Sequence, residues 1–223
     1  MTGRAAPQVP DDKCLTVVAQ AERERRISRL VESSLRNSAL YIYILFFLSG
    51  FPALIYQIVW QRSLFSIYGV NIESVTIVVS AFMLGLGLGS LLGGMISTAR
   101  RVPLLAIFGL VELGIGVFGL ASLRLFHWAA LFTAGVPPIQ TGLISFVLVV
   151  IPTLLMGCTL PLLVAHIAQL SGNMGQSVGM LYSVNTLGSA GACFLAAKIT
   201  MGFLGQSGSV AVAAAINITV ASP

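Results

Sequence analysis

After Glu112 the chain has no aspartate or glutamate, so half of the protein lacks a carboxylate side chain. That absence excludes a Ser/His/Asp set or an acid-bearing nucleotide loop from the second half. Charge of either sign is scarce throughout, at 9% of residues, where soluble domains carry roughly 25% to keep their surfaces in water. With 57% hydrophobic residues and a mean hydropathy of +0.95, the chain has no polar exterior to offer, and its solvent is expected to be lipid. Cysteine is also sparse. Cys14, Cys158 and Cys193 have neither metal-ligand spacing nor a disulfide framework, so no metal and no cofactor is expected. The net charge of +5 is not a nucleic-acid signal, because the basic residues cluster in the first forty positions among acids. At 223 residues the chain suffices for one helical membrane domain and leaves no room for an additional soluble one.

Two parts are expected: a polar cytoplasmic segment over 1–38 and a transmembrane helical domain over 39–223. The first is no secretory signal, being too long and too acidic before a membrane-length apolar run. Within it, Thr16 to Arg36 reads as a helix with Ile27, Leu30, Val31 and Leu35 on one face and Arg23, Arg25, Arg26 and Arg29 supplying positive charge. Such a helix either lies on an anionic leaflet or forms a solvated lead-in. Apolar segments follow at about 39–60, 74–97, 103–126, 141–168, 177–200 and from 207 to the end. Five reach the roughly 20 residues that cross a hydrocarbon core; the sixth, Val210 to Val220, covers about half a bilayer and is expected to be either an incomplete helix or a re-entrant one. The fold class is therefore all-α, a polytopic bundle of about six transmembrane helices.

Orientation follows from the basic residues. Arg4, Lys13, Arg23, Arg25, Arg26, Arg29, Arg36, Arg100 and Arg101 fall on the side of the N-terminus, against Arg62, Arg124 and Lys198 on the other. Cytoplasmic loops favour Lys and Arg, so the N-terminus is expected in the cytoplasm; the expected location is an inner (plasma) membrane.

Small residues predict how the helices pack. Gly85, Gly89 and Gly93 recur every four residues, and Gly188 and Gly191 repeat the theme in the fifth segment; such stripes let backbones approach closely. Pro52, Pro152 and Pro161 interrupt the first and fourth segments and are expected to bend them. The order bent, glycine-rich, plain then occurs twice, the pattern of two three-helix units as in half of a major-facilitator fold.

Glu112 stands near the middle of the third segment. A carboxylate there costs roughly 2.5–3.5 kcal/mol on insertion scales, so it should face protein or trapped water. By helical rise, Glu112 lies about 13 Å from the cytoplasmic start of its helix, Asn185 about 12 Å and Thr159 about 13 Å, with Asn217 near mid-depth and Tyr182 a turn closer to the cytoplasm. These five residues form a candidate polar layer, with Glu112 expected to pair with Asn185. The layer is either a set of interhelical hydrogen bonds or a mid-membrane site for a solute or ion.

Five strings carry a resemblance. Phe46-Phe47-Leu48-Ser49-Gly50-Phe51 with Tyr56-Gln57-Ile58-Val59-Trp60-Gln61-Arg62 comes first, followed by Ala81-Phe82-Met83-Leu84-Gly85-Leu86-Gly87-Leu88-Gly89-Ser90 and by Glu112-Leu113-Gly114-Ile115-Gly116. Pro152-Thr153-Leu154-Leu155-Met156-Gly157-Cys158-Thr159-Leu160-Pro161 and Gly179-Met180-Leu181-Tyr182-Ser183-Val184-Asn185-Thr186-Leu187-Gly188 complete the set. In order, over about 46–188, they resemble the membrane region of the fused major-facilitator-like/spermidine synthase family of bacterial membranes. The resemblance implies a membrane module of a polyamine-related system, joined in longer members to a cytoplasmic synthase-like domain that nothing here resembles. The module itself would be non-catalytic and would handle or sense a small cationic metabolite. Gln57 stands where the family has Glu, and the Asp of the turn near Ser97 and Thr98 is missing, which weakens a proton-coupled reading. Two other classes fit the same residues: an accessory subunit packed in a larger membrane complex, and a transporter half that must form a homo-oligomer.

Overall fold

Long apolar runs without interior breaks form helices in a medium that cannot satisfy a bare backbone. In the computed structural model, which describes residues 12–68, 71–99, 103–133, 135–171 and 173–222, every element is helical. The helices are α1 (Asp12–Tyr68), α2 (Asn71–Ser97), α3 (Leu104–Phe132), α4 (Pro138–Ser171), α5 (Met174–Leu195) and α6 (Gly205–Ala221). A π-helical segment, Ala196–Leu204, joins the last two. Six stretches are long and apolar enough to cross a bilayer: Asn37–Ile67, Glu73–Ser97, Leu104–Phe132, Ile139–Leu170, Met174–Leu195 and Ile199–Ala221. Large apolar side chains such as Met83, Leu91, Met95, Leu110 and Phe203 stand on the outside, a surface suited to lipid and not to water. This is a multi-pass membrane protein.

By its contacts the chain divides into units 1–41 and 42–223. In the first, the backbone from residue 12 onward is helical, Arg23, Arg25, Arg26 and Arg29 are exposed, and so are Ile27 and Leu30. Residues Arg4, Pro7, Pro10, Arg100 and Arg101 lie outside the described residues, as do the side chains of Lys13, Val31, Leu35, Arg36 and Lys198.

The second unit is the bundle. Its helix ends follow local chemistry: Pro103 and Pro138 stand at starts, where a missing N–H costs nothing, and Asn173 caps α5 by accepting from the Gln176 N–H at 3.1 Å. The expected gap near 200–207 is not a loop. Helical structure continues through Leu204, and Gly205, at φ 65°, redirects the chain straight into α6. The sixth helix therefore has 17 residues and a length of about 25 Å, longer than the Val210–Val220 segment. Hydropathy missed its first turn because Gln206, Ser207 and Ser209 are polar, yet two of them bond to the backbone or to α1. Ser209 Oγ donates to the Gly205 carbonyl at 2.6 Å, and Ser63 Oγ donates to Gln206 Oε1 at 2.8 Å. Helices α1 and α4 run through Pro52, Pro152 and Pro161 without losing helical structure.

Small residues set the neighbours. A Cβ on Gly85 would strike Thr153, one on Gly89 the Leu154 carbonyl and Gly157, and one on Gly93 the Cys158 backbone, so α2 lies against α4. Gly188 abuts the Phe47 backbone and Gly50 abuts Asn185, so α5 lies against α1. Gly191, by contrast, faces open space, as do Gly87 and Gly94. Helix α3 meets α6 where Gly116 approaches Ala214 and Asn217. The pairs α1–α5, α2–α4 and α3–α6 map onto themselves when the first three helices are exchanged for the last three. The same exchange takes the α3–α4 contact of Gly114 and Leu155 onto the α6–α1 bond of Gln206 and Ser63. These contacts join the six helices into one bundle.

Candidate functional site

Ser49, Ala53, Tyr56 and Trp60 repeat at three- and four-residue steps along α1, which brings them to one face of that helix. Ser49, Tyr56 and Trp60 are buried, each with a polar group that must find a partner away from water. The partners come from α3 and α6. Ser49 Oγ bonds Glu112 Oε1, and Asn217 Nδ2 donates to Glu112 Oε2 at 2.6 Å. Tyr56 Oη donates to Asn217 Oδ1 at 3.2 Å. Trp60 Nε1 donates to Ser122 Oγ at 3.0 Å, and that hydroxyl in turn donates to the Gly119 carbonyl at 2.6 Å. Gly119 is needed for this order, since a Cβ there would overlap the Tyr56 ring.

Glu112 is fully buried, and the hydrogen bonds to it come from a hydroxyl and an amide, not from a cation. The expected pairing with Asn185 is replaced by Ser49 and Asn217. Depth along a helix says nothing about azimuth, and α3 turns Glu112 toward α1 and α6. A hydroxyl can donate or accept, so Ser49 suits the carboxyl group with or without its proton.

A cavity of about 140 Å³ adjoins this network. Ser49 and Asn217 line it on the Glu112 side; Gln57, Thr159, Asn185 and Ser189 supply its other polar groups, among apolar residues that include Phe82 and Met156. Thr159 Oγ1 donates to the Met156 carbonyl of its own helix at 2.7 Å, and Ser189 Oγ to the Gly50 carbonyl at 2.9 Å. No lysine or arginine among the described residues lines the space. The volume is close to that of an engineered cavity that admits benzene, so a compact solute of about six heavy atoms, or a few waters, fits.

Of the five polar-layer residues, Glu112, Thr159, Asn185 and Asn217 thus gather at or just behind one cavity. Tyr182 does not. It is 63% exposed, on the outside of α5. That helix buries a narrow strip that includes Leu181, Gly188 and Ala192, and Tyr182 lies about 100° around the axis from Leu181. Sequence reasoning missed Ser49, Tyr56 and Ser189 as site residues. The three- and four-residue spacing from Ser49 to Trp60 was the available signal, obscured by the uniform hydrophobicity of the segment.

No protein-family profile, curated protein or solved structure matches this chain.

Proposed function

We propose that this protein is a non-catalytic membrane module that takes a small cationic metabolite, or one protonated amine of it, into the Glu112 cavity. The observation that carries the reading is a fully buried carboxylate bonded only to neutral groups beside a polar-lined space. A charge of that kind is costly in a low-dielectric interior unless a proton or a cation neutralises it. A compact cation in the cavity would find amide and hydroxyl oxygens for its N–H groups, with the carboxylate behind Ser49 and Asn217. The volume admits a single amine head and not an extended polyamine. The resemblance to the fused major-facilitator-like/spermidine synthase family supports a polyamine-related setting, and the arginine excess before Tyr41 supports an N-terminus in the cytoplasm.

Calorimetric titration of the purified protein in detergent with methylammonium, against neutral methanol, tests this. Methylammonium should bind and methanol should not, and Glu112→Gln should weaken the amine by about tenfold, as expected when a nearby opposite charge is removed. Equal binding to wild type and Glu112→Gln, or none to either, would overturn the reading.

A second reading, an accessory subunit in a larger assembly, draws on α5. Of the six membrane stretches it is the least apolar and the least buried, at a mean hydropathy of 1.2 with 17% of its window covered. Co-purification of a stoichiometric partner that cross-links to Tyr182→Cys would favour it.

A further inference from the structure

A second, larger space lies at the end of the bundle where α1 and α3 finish and α2, α4 and α6 begin. It is an open vestibule of about 950 Å³, near the upper end of the range for small-molecule sites. Its walls mix apolar side chains, Leu123 and Phe126 among them, with polar ones. Ser63, Ser66, Thr133, Thr141 and Ser207 bring hydroxyls and Gln206 an amide. Glu73, in the first turn of α2, is the only carboxylate among the described lining residues, and His127 the only imidazole. No lysine or arginine among the described residues lines it. A carboxylate with hydroxyl and amide acceptors around it is a donor-seeking surface, matched by a cation that also carries N–H or O–H groups.

The floor of the vestibule separates it from the Glu112 cavity. Phe126 lines the vestibule and Phe82 lines the cavity, and the Trp60 ring packs against both, with centroids at 6.2 and 6.0 Å. Tyr56 stacks on Trp60 at 5.2 Å, and Phe118 meets it edge-on at 6.0 Å. Trp60 is pinned by its bond to Ser122 and Tyr56 by its seat on Gly119, so this is an ordered partition of aromatic rings. The two spaces are therefore separate compartments with different volumes and different carboxylates.

We propose that the vestibule is a binding site for a free hydrophilic organic cation, one that carries hydroxyl or further N–H groups, with Glu73 as its counter-charge. It is independent of the cavity behind the aromatic partition. The volume accommodates a solute too large for that cavity, and the hydroxyl-rich wall rewards a ligand that offers donors beyond its charge. An amine-headed lipid presents related chemistry, and Ile67, Leu123, Phe126 and Val136 give the wall apolar surface as well, so competition with lipid distinguishes the two sources.

The test uses the purified full chain in detergent and calorimetric titration with N-methyl-D-glucamine, against sorbitol as its uncharged counterpart. N-methyl-D-glucamine should bind and sorbitol should bind at least about tenfold more weakly. Glu73→Gln, at an exposed position where folding is not at stake, should cost the cation a similar factor. Glu112→Gln should leave it unchanged, which separates this site from the inner one. Equal affinity for cation and sorbitol, no effect of Glu73→Gln, or a loss on Glu112→Gln matching that on Glu73→Gln would each overturn the proposal. Added phosphatidylethanolamine should not displace the cation; displacement by it, and not by phosphatidylglycerol, would reassign the site to a lipid headgroup and also overturn the proposal.

Discussion

At the scale of single residues, the bundle turns on one carboxyl group and the two neutral groups that hold it. Replacing Glu112 by Gln keeps an acceptor for the Asn217 amide and a donor for the Ser49 hydroxyl, which can reverse its role. Glu112→Gln should therefore fold with a stability loss under about 1 kcal/mol. Glu112→Leu takes from Ser49 and the Asn217 amide their buried partner, at about 1–3 kcal/mol for a buried orphan group, and should lower the melting temperature in detergent clearly. Equal stability of the two variants would show that the three groups are not coupled. A related change, Gly119→Ala, pushes on the Tyr56 ring and should disturb the Tyr56–Asn217 bond without touching a polar atom of Asn217. Near-ultraviolet circular dichroism of the stacked Tyr56–Trp60 pair would report it, and an unchanged spectrum would mean the ring moves freely aside.

At the scale of elements, close approach of α2 and α4 follows from glycines that leave their backbones bare. Thr153 Oγ1 lies 3.3 Å from the Ala81 carbonyl, and Cys158 Sγ donates to the Gly89 carbonyl at 3.1 Å, contacts possible only at that separation. Gly89→Leu would drive a side chain into the α4 backbone, a rigid obstacle, and should destabilise by on the order of 3 kcal/mol. Gly87→Leu is the control, because nothing lies within 4 Å of its Cβ position and the side chain would enter lipid. It should change stability by less than about 0.5 kcal/mol in a detergent melting series. The contrast between two glycines two residues apart distinguishes a packing stripe from general glycine content. Similar effects at both sites would refute the α2–α4 contact.

At the scale of the whole molecule, the expectation concerns direction in the membrane. The arginine excess before Tyr41 predicts a cytoplasmic N-terminus, with the vestibule on the opposite side because it lies past one crossing, Asn37–Ile67. In a background without Cys14, Cys158 and Cys193, an impermeant maleimide added to intact cells should label Ser66→Cys and leave Gln20→Cys and Ala99→Cys unmodified. Labelling of Gln20→Cys from outside would invert the molecule and turn the vestibule toward the cytoplasm.

Composition and hydropathy alone determined the class of this protein, since a chain so poor in charge has one compatible solvent and must close its backbone bonds within helices. The glycine spacing from Gly85 to Gly93 and the cost of a charge at Glu112 were equally legible, because each rests on a local property: side-chain size in one case and solvation in the other. Tertiary structure alone decided which groups met. Asn217 and Ser49, and not Asn185, hold Glu112, and Tyr182 faces outward, because the rotation of each helix depends on every neighbour it packs against. Where a helix is apolar on every side, no polar stripe tells the buried face from the lipid-facing one. The same ambiguity hid the Ser49–Tyr56–Trp60 face and the two compartments it divides, which exist only once α1, α3 and α6 are brought side by side.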